Sequence, residues 1–292
     1  MFIKYGKMKL VYSLMITCFL LALVSIDSFP NSTAESSEKP TIYDYSLVWV
    51  EDFNSPELDP SVWGIMERRN DGSRRYISRN PNCYEFRDGC LILKGIKNPN
   101  RKLDSVPYLT GGIYTRFRKA FAPGKIEVCA KLNCGKGSWP AIWLMPFKVE
   151  NGWPEDGEID IMEHANCDKF VYQTLHSKYT KTVDGSYPQH FAKTSVDINK
   201  FNIYGVEITE NYVSFFINGI KTLTYPKIKD LTSKGEFPFF RDWYLMLNMQ
   251  FLENENIKIE DKDLPVEMEV DWVKYYQLEP KNNIDRSPRT KQ

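Results

Sequence analysis

The chain has 292 residues, of which 42% are hydrophobic, and its 38 basic and 38 acidic residues give a formal net charge of zero. This balance provides no basic stripe for nucleic acid and no charge excess for a polyanionic partner, so a neutral partner fits the composition better. Once a short leader is set aside, the remaining length suits one all-β domain and requires no second domain.

The N-terminal segment has the pattern of a secretory signal peptide. Three lysines before residue 10 precede an apolar run over 10–26, the usual order of basic and hydrophobic regions in such a segment. The run is too short and too close to the terminus to favour a permanent membrane span. We therefore predict a signal peptide over 1–28, a linker over 29–42, and export to the periplasm, the cell surface or the medium.

The first predicted element after the linker is a β-hairpin. Cys83–Phe86 and Leu91–Leu93 flank Asp88-Gly89, a dipeptide typical of tight hairpin turns. Cys83 and Cys90 are a candidate disulfide bridge across this hairpin. Five cysteines follow the leader, so at least one stays unpaired, and their spacing supports neither a zinc site nor a full disulfide framework. Two longer strands are predicted next, at Lys125–Leu132 and Trp139–Met145.

An acidic run follows these strands. It reads Glu158-Ile159-Asp160-Ile161-Met162-Glu163, and a two-residue strand period places Glu158 and Asp160 on one face. Glu163 has the opposite parity and would point into the core, where an unpaired carboxylate is costly. One extra residue at Ile161-Met162, a β-bulge, returns Glu163 to the face of the other two acids.

The rest of the chain repeats the antiparallel pattern. Val213–Ile217 and Ile220–Leu223 flank a second hairpin turn at Asn218-Gly219. Further strands are predicted at Phe201–Ile208, Tyr244–Met249 and Val266–Tyr276. Because long helical periodicity is absent, we predict an all-β fold over 43–278, a sandwich of two antiparallel sheets with a groove on one face. A polar, disordered tail is predicted over 279–292.

Three carboxylates on one strand face suit glycoside hydrolysis. Like charges at short range favour protonation of one or more of them. A retaining glycosidase needs one ionised carboxylate as nucleophile and one protonated carboxyl as acid, about 5–5.5 Å apart. Two pleats of roughly 6.6 Å separate the α-carbons of Glu158 and Glu163 once the bulge is subtracted, so their side chains must lean together. The pattern predicts Glu158, Asp160 and Glu163 as the catalytic residues.

Nearby tryptophans favour a sugar-binding face over a merely solvated acidic strand. Trp139, Trp143 and Trp153 lie within twenty residues of Glu158, and flat aromatic rings pack well on the apolar faces of sugars. Trp139 and Trp153 each precede a proline, as expected of loop or groove residues, whereas Trp143 also suits a core position. Calcium binding by the acids is another alternative, but their spacing lacks the loop pattern of a hand-type site.

Trp139–Pro146 and Gly157–Glu163 together resemble glycoside hydrolase family 16, in the laminarinase-like branch that has a bulged catalytic strand. The resemblance extends over most of the chain after the leader, through Leu47–Asn54, Leu109–Gly112 and Val270–Val273. It implies a β-jelly-roll sandwich with a carbohydrate-binding groove, which agrees with the strand pattern.

The resemblance also implies a role for each site residue. Glu158 is then the nucleophile, Glu163 the general acid/base, and Asp160 the partner that hydrogen-bonds to the nucleophile and tunes its charge. Gln173 and His176 match a segment near the catalytic centre, and we expect both of them, together with the three tryptophans, to bind substrate. No organic cofactor is implied.

Members of this family often carry a structural calcium ion far from the groove. Glu51 and Asp271 occupy matching positions, but two carboxylates are too few to define a metal site. We expect a monomer that acts on a polysaccharide or glycan, with no nucleic acid partner and no stable membrane span in its mature form.

The substrate class depends on where the chain departs from the family pattern. Laminarinase-like members usually carry Gly-Gly-x-Trp after the late strand, whereas Leu247–Asn254 has neither the glycines nor the tryptophan. Tyr108–Gly112, Tyr172–Tyr179 and Asp263–Met268 instead resemble gut-bacterial endo-β-galactosidases that cut poly-N-acetyllactosamine chains of mucin-type glycans. We favour a secreted retaining endo-β-galactosidase, with an endo-β-1,3(4)-glucanase as the alternative.

Two alternatives from other classes are a non-catalytic carbohydrate-binding protein and a surface adhesion protein. Sandwich folds often bind sugars without cleaving them. A pure binder, however, has no need to hold three like charges together. The acidic run therefore favours an enzyme.

Overall fold

A computed structural model describes residues 43–69, 74–182, 187–253 and 257–281. The predicted signal peptide and linker, and the tail beyond Lys281, lie outside the described residues. No helix within the described ranges has the length and apolarity needed to cross a membrane. The strands are β1 (Tyr43–Glu51), β2 (Gly64–Ile65), β3 (Tyr84–Arg87), β4 (Cys90–Lys97), β5 (Tyr108–Thr110), β6 (Gly112–Tyr114), β7 (Lys125–Leu132), β8 (Ala141–Pro146), β9 (Glu158–Glu163), β10 (Phe170–His176), β11 (Phe191–Ser195), β12 (Asn202–Ile208), β13 (Tyr212–Ile217), β14 (Ile220–Pro226), β15 (Trp243–Asn248) and β16 (Val266–Pro280), and α1 (Lys178–Thr182) is a short helix.

The strands form two antiparallel sheets. One sheet has nine strands, in the order β14-β13-β12-β7-β16-β4-β3, with β1 paired to β16 and β5 paired to β4. The other has seven strands, in the order β11-β10-β9-β8-β15-β6-β2. The predicted all-β jelly-roll sandwich is confirmed, and the acidic run forms β9, inside the seven-stranded sheet.

Both predicted hairpin turns are present. Asp88 and Gly89 have φ angles of 53° and 75°, and Asn218 and Gly219 have φ angles of 51° and 78°. A two-residue turn with positive φ at both positions matches the right-handed twist of the strands it joins, and Asn, Asp and Gly tolerate that backbone best. Local turn chemistry therefore sets the register of both hairpins.

Alternation along the seven-stranded sheet separates a core face from an open face. Ile142 and Leu144 of β8 belong to the main core between the sheets. Ala141, Trp143 and Met246 belong instead to a second, smaller cluster. Because successive strand residues point to opposite sides, this second cluster covers the side turned away from the nine-stranded sheet. We call that side the open face.

The disulfide differs from the predicted pairing. Cys134 and Cys167 are bonded, whereas Cys83, Cys90 and Cys129 are buried free thiols. In the first hairpin, Cys90 pairs with Arg87, so Cys83 lies four residues, or roughly 13 Å, further along the opposite strand. The predicted Cys83–Cys90 bridge is therefore wrong, because these residues never face each other.

The last strand is longer than predicted. β16 runs to Pro280, and Leu278 and Glu279 pair with Tyr45 and Asp44 of β1. The polar composition after Tyr276 predicts disorder, but pairing with β1 supplies main-chain partners that composition does not reveal. The prediction that the tail begins at 279 is wrong for the two residues that end this strand.

Candidate active site

The predicted bulge brings the three acids of β9 into line. Along β10, Glu158 faces His176, Asp160 faces Thr174 and Glu163 faces Tyr172. The partners on β10 are evenly spaced by two residues, although the acids are spaced by two and then three. The extra residue lies at Ile161-Met162, as the register against β8 also shows. The predicted bulge is confirmed, and all three acids lie on the open face.

Gln173 holds the bulge from the core side. Ile161 and Met162 are both fully buried, and the amide nitrogen of Gln173 donates to the Ile161 carbonyl at 3.0 Å. The carbonyl of Gln173 accepts a hydrogen bond from the Thr222 hydroxyl on β14. Gln173 is itself fully buried and has the opposite strand parity from His176, so it lies beneath the sheet. The predicted substrate contact of Gln173 is therefore wrong.

Replacing this glutamine should weaken both the fold and the site. Gln173→Met removes the donor to the Ile161 carbonyl, and an unsatisfied buried carbonyl costs about 1–3 kcal/mol. We expect the free energy of unfolding in urea to fall by about that amount and glycan turnover to fall because Glu163 loses its fixed position. Gln189→Met, at an exposed position, is the control that should change neither quantity. Wild-type stability of Gln173→Met would contradict this role.

Two of the predicted tryptophans bind the acids directly. The Trp139 indole N–H donates to Glu163 at 2.9 Å, and the Trp153 indole N–H donates to Glu158. Trp153 is 43% exposed and lies edge-on to His176, so its ring borders the space above the nucleophile. The predicted tryptophans thus flank the acids, one at each end of the acidic run.

Trp143 has a different place. It pairs with Asp160 across β8 and β9, is 9% exposed, and donates from its indole nitrogen to Asn248 at 2.7 Å. It packs with Met246 in the cluster of the open face. Trp143 is therefore part of the packed floor of the open face, next to Asp160.

The loop before β9 is built around Asp156. Its carboxylate accepts the backbone N–H groups of Glu150, Asn151 and Gly152, each at 2.8 Å. Arg241 lies 3.0 Å away as an ion-pair partner. Burial raises the pKa of the Asp156 carboxyl, but the backbone N–H groups and Arg241 lower this pKa to about 2. Asp156 thereby fixes the loop that carries Trp153.

Removing the charge of Asp156 should displace Trp153. Asp156→Asn keeps the side-chain shape but replaces one acceptor oxygen by a donor that faces backbone N–H groups, so we expect a loss of about 2 kcal/mol in unfolding free energy. Turnover should fall by roughly ten-fold because Glu158 loses the ordered indole donor. Circular dichroism melts and steady-state kinetics measure the two effects. Asp230→Asn, at an exposed site, should leave both at wild-type values, and an equal effect of the two variants would contradict the role.

The three acids have strongly perturbed protonation. Burial, and then the charge of Asp160, raise the pKa of Glu158 to about 7. Burial also raises the pKa of Asp160, and burial together with the charge of Asp160 raises the pKa of Glu163 well above its usual range. These carboxyl groups lose water and repel each other, so the cluster keeps protons at neutral pH.

His176 and Lys181 complete the electrostatics of the site. His176 Nε2 lies 3.0 Å from the Asp160 carboxylate, and burial lowers the pKa of His176 to about 4, so the imidazole is neutral at pH 7. Lys181 on α1 lies 5.4 Å from the centre of the Trp153 ring. Burial lowers the pKa of Lys181, while the charges of Glu158, Asp160 and Glu163 raise it. A half-buried cation thus lies close enough for its charge to interact with those of the acids.

Comparisons with known proteins agree with this geometry. A family model described as XgeA-like, catalytic GH16 domain matches residues 123–212. A glucan endo-1,3-beta-glucosidase from Cryptopygus antarcticus is 30% identical over 70% of this chain and 79% of its own length. The chain belongs to glycoside hydrolase family 16.

Other family 16 relatives differ in their named substrates. A keratan-sulfate endo-1,4-beta-galactosidase from Sphingobacterium multivorum is 32% identical over 83% of this chain, which spans 57% of that enzyme's length. A solved structure described with endo-acting O-glycanases that human gut microbes express to initiate mucin breakdown matches with a TM-score of 0.69 and 28% identity, over 80% of this chain and 100% of that one.

Glu51 and Asp271, which match the positions of the family's calcium ion, have other neighbours in the structure. Both oxygens of Glu51 accept hydrogen bonds, one from Trp63 and one from the Phe53 amide. Asp271 lies beside the thiols of Cys90 and Cys129, soft donors that calcium does not favour. No group of three or more potential metal-binding side chains occurs in the described part of the chain.

The sequence analysis missed Lys181, Asp156 and Asn248. Lys181 sits on a helix of five residues, too short for a periodic pattern, and Asn248 meets Trp143 only through strand pairing. Asp156 could have been identified from the sequence, because Asp156-Gly157 is a turn dipeptide that lies just before the strand. The other two are positioned by contacts far apart in sequence.

Proposed function

We propose that the protein is an exported, retaining endo-β-glycosidase that uses Glu158 as nucleophile and Glu163 as general acid/base. The observation that carries this proposal is the bulged strand, which aligns three acids on the open face and gives Glu158 and Glu163 one indole donor each. The raised pKa values of these acids supply the protonated carboxyl that the reaction requires.

The reaction proceeds in two displacements. Ionised Glu158 attacks the anomeric carbon, the glycosidic C–O bond breaks, and the proton of Glu163 moves to the leaving oxygen. Ionised Glu163 then takes a proton from water, whose oxygen attacks the same carbon and releases Glu158. The Trp153 N–H and the nearby Lys181 stabilise the negative charge of Glu158 whenever its carboxylate carries no glycosyl group. Asp160, linked to His176, keeps a proton within the cluster and tunes the charge of the nucleophile.

We propose a poly-N-acetyllactosamine chain as substrate, cut at internal β-galactosidic bonds. The names of the Sphingobacterium relative and of the O-glycanase structure support this choice. The late loop also supports it: Phe251 is buried against Tyr76 and Tyr108, and Glu253 accepts the Tyr76 hydroxyl at 2.7 Å. This loop therefore supplies interior packing at Phe251, and Leu247–Asn254 lacks the tryptophan that laminarinase-like members carry after this strand. The name of the Cryptopygus relative favours β-1,3-glucan as the second candidate.

Export is part of the proposal. The expected signal peptide over 1–28 directs the chain out of the cytoplasm. The Cys134–Cys167 disulfide supports the same destination, because disulfides persist mainly in oxidising compartments. We expect the mature protein to act as a monomer on a glycan in the periplasm, at the cell surface or in the medium.

The pH dependence of kcat/KM should be bell-shaped, with its maximum above pH 7. Below the pKa of Glu158, about 7, the nucleophile gains a proton and cannot attack. At higher pH, Glu163 loses the proton it must donate, and the rate falls again. Because the acids are coupled, the two limbs report the cluster as a whole. Initial rates measured between pH 5 and pH 10 test this, and rates that rise continuously as the pH falls to 5 would contradict it.

A substrate screen tests the proposed function. Purified protein is incubated with keratan-type chains, mucin glycans, laminarin, mixed-linkage glucan and agarose, and products are sized and their anomers followed by NMR. We expect internal cleavage of the lactosamine chains with retained β configuration. Cleavage of laminarin alone would replace the galactosidase by the glucanase. Inverted product, or no cleavage of any polymer, would overturn the proposal.

A further inference from the structure

Arginines gather on the open face at a distance from the catalytic acids. Arg116 follows β6, and its guanidinium carbon lies 4.5 Å from the centre of the Phe117 ring and 6.0 Å from that of Tyr244. Arg74 and Arg116 line one depression together with Tyr114, Tyr244 and Met246. Arg69 is close enough to Tyr244 for its charge to act on the phenol, as are Arg74 and Arg116. Arg116 thus lies over the Tyr244 ring, and the charges of Arg69 and Arg74 also reach its phenol.

The depression lies in line with the nucleophile. Tyr244 pairs with Met145 of β8, and the register of β8 and β9 brings Met145 level with Glu158. The Thr115 amide donates to the Leu245 carbonyl at 2.9 Å, so pairing continues past β6 and brings Arg116 level with Tyr244. Three strand spacings, roughly 14 Å, separate the backbones of Glu158 and Arg116. A glycan crossing the strands from Glu158 would pass over these arginines.

Two neighbouring arginines have acidic partners, whereas Arg116 contacts aromatic rings. Arg68 forms an ion pair with Asp104 at 2.6 Å, and Arg75 lies 3.8 Å from Glu253 and stacks on Tyr76. In contrast, no ion pair joins Arg116 to an acid among the described residues, and its guanidinium contacts aromatic rings. One acid, Glu67, lines the same depression, so the described guanidinium groups outnumber the carboxylates there.

We propose that Arg116, with Arg69 and Arg74, binds an anionic substituent of the glycan, a sulfate ester or a carboxylate, as the chain crosses the open face. Guanidinium groups bind such oxyanions through paired, charge-assisted hydrogen bonds. The site also offsets the repulsion that an anionic chain meets at the three acids. This proposal rests on the proposed function, since it assigns the substituent that the glycosidase prefers.

The test compares the cleavage of a glycan that carries anionic substituents with the cleavage of the same glycan without them. The substrates are a sulfated keratan-type chain, the same chain after chemical desulfation, and a sialylated lactosamine chain. For the wild type we expect kcat/KM on a charged chain to exceed that on the desulfated chain by about ten-fold or more. The preferred charged chain identifies the ligand as sulfate or carboxylate. Arg116→Gln should bring the ratio close to one, and high salt should reduce the wild-type ratio.

Arg101→Gln provides the matched control, because it makes the same charge change on an exposed loop where the guanidinium donates to the Ser105 carbonyl. It should keep the wild-type ratio. A wild-type ratio near one, or a ratio that Arg116→Gln leaves unchanged, would overturn the anion site.

Failure of the proposed function is distinguishable from failure of the site. If no chain is cleaved, calorimetric titration of the Glu158→Gln protein with the sulfated, sialylated and desulfated chains replaces the kinetic ratio. Tighter binding of a charged chain that is lost in Glu158→Gln/Arg116→Gln supports the site. Equal binding of all three chains overturns it.

Discussion

Glu158→Gln is expected to lower kcat on the preferred glycan by on the order of 10⁴-fold, because the amide cannot form the glycosyl-enzyme and only binding and electrostatic contributions remain. The Trp153 indole can still donate to the amide oxygen, so the shape of the site is kept. Binding of the intact glycan should therefore persist within a few-fold of the wild type. Single-turnover kinetics and calorimetric binding to the same chain separate these two quantities.

The stability of the same variant provides a second readout. In the folded protein the pKa of Glu158 is raised to about 7 from 4.5, so ionisation of this group destabilises the fold as pH rises through that value. Glutamine removes this ionisation, and the melting temperature of Glu158→Gln should equal or exceed that of the wild type above pH 7. Glu210→Gln, at an exposed turn, is the control and should change neither turnover nor melting. Turnover at the wild-type rate in Glu158→Gln would assign the nucleophile elsewhere.

The bulge could be predicted from sequence because strand parity is a local rule. Three acids at Glu158, Asp160 and Glu163 cannot share a face on a regular strand, and burying one of them alone would be costly. The pairs with β8 and β10 place the extra residue where that argument requires it. Turn dipeptides such as Asn218-Gly219 are equally local, and both predicted hairpins are present.

The residues that support the acids could not be predicted in the same way. Gln173 and His176 occupy one strand, yet their parities place Gln173 in the core and His176 beside Asp160. The resemblance to the family implied substrate binding for both residues. Parity within β10 would have separated them, since Gln173 lies three residues from His176. This difference in strand parity is visible in the sequence, whereas the resemblance to the family places both residues near the cleft.

Other contacts depend on separations that no local pattern encodes. Cys134 and Cys167 are 33 residues apart and lie outside any single hairpin, whereas the nearer pair of Cys83 and Cys90 is offset along its hairpin. Lys181 reaches the acids from α1 because the chain turns back after β10. Each of these contacts is set by the tertiary arrangement of strands and loops, which local residue patterns do not determine.

Glu163→Ala should separate the two chemical steps. Loss of the acid/base is expected to lower kcat on the glycan by about 10²–10⁴-fold, because the leaving sugar oxygen no longer receives a proton. An aryl β-glycoside whose leaving group needs no proton should still form the glycosyl-enzyme on Glu158, which then accumulates because no base activates water. Azide needs no base, so added azide should restore turnover of the aryl glycoside and give a β-glycosyl azide.

Trp139→Phe is the matched variant for this experiment, because it removes the N–H that Trp139 donates to Glu163 at 2.9 Å and keeps an aromatic ring. That hydrogen bond favours the ionised carboxylate and lowers the pKa of Glu163 against the effect of burial. Its loss should shift the alkaline limb of the kcat profile to higher pH, with no azide dependence. An α-glycosyl azide from Glu163→Ala would show that attack does not pass through a glycosyl-enzyme on Glu158. Unchanged glycan turnover in Glu163→Ala would remove Glu163 from proton transfer, and the bulge that aligns it with Glu158 would then need another explanation.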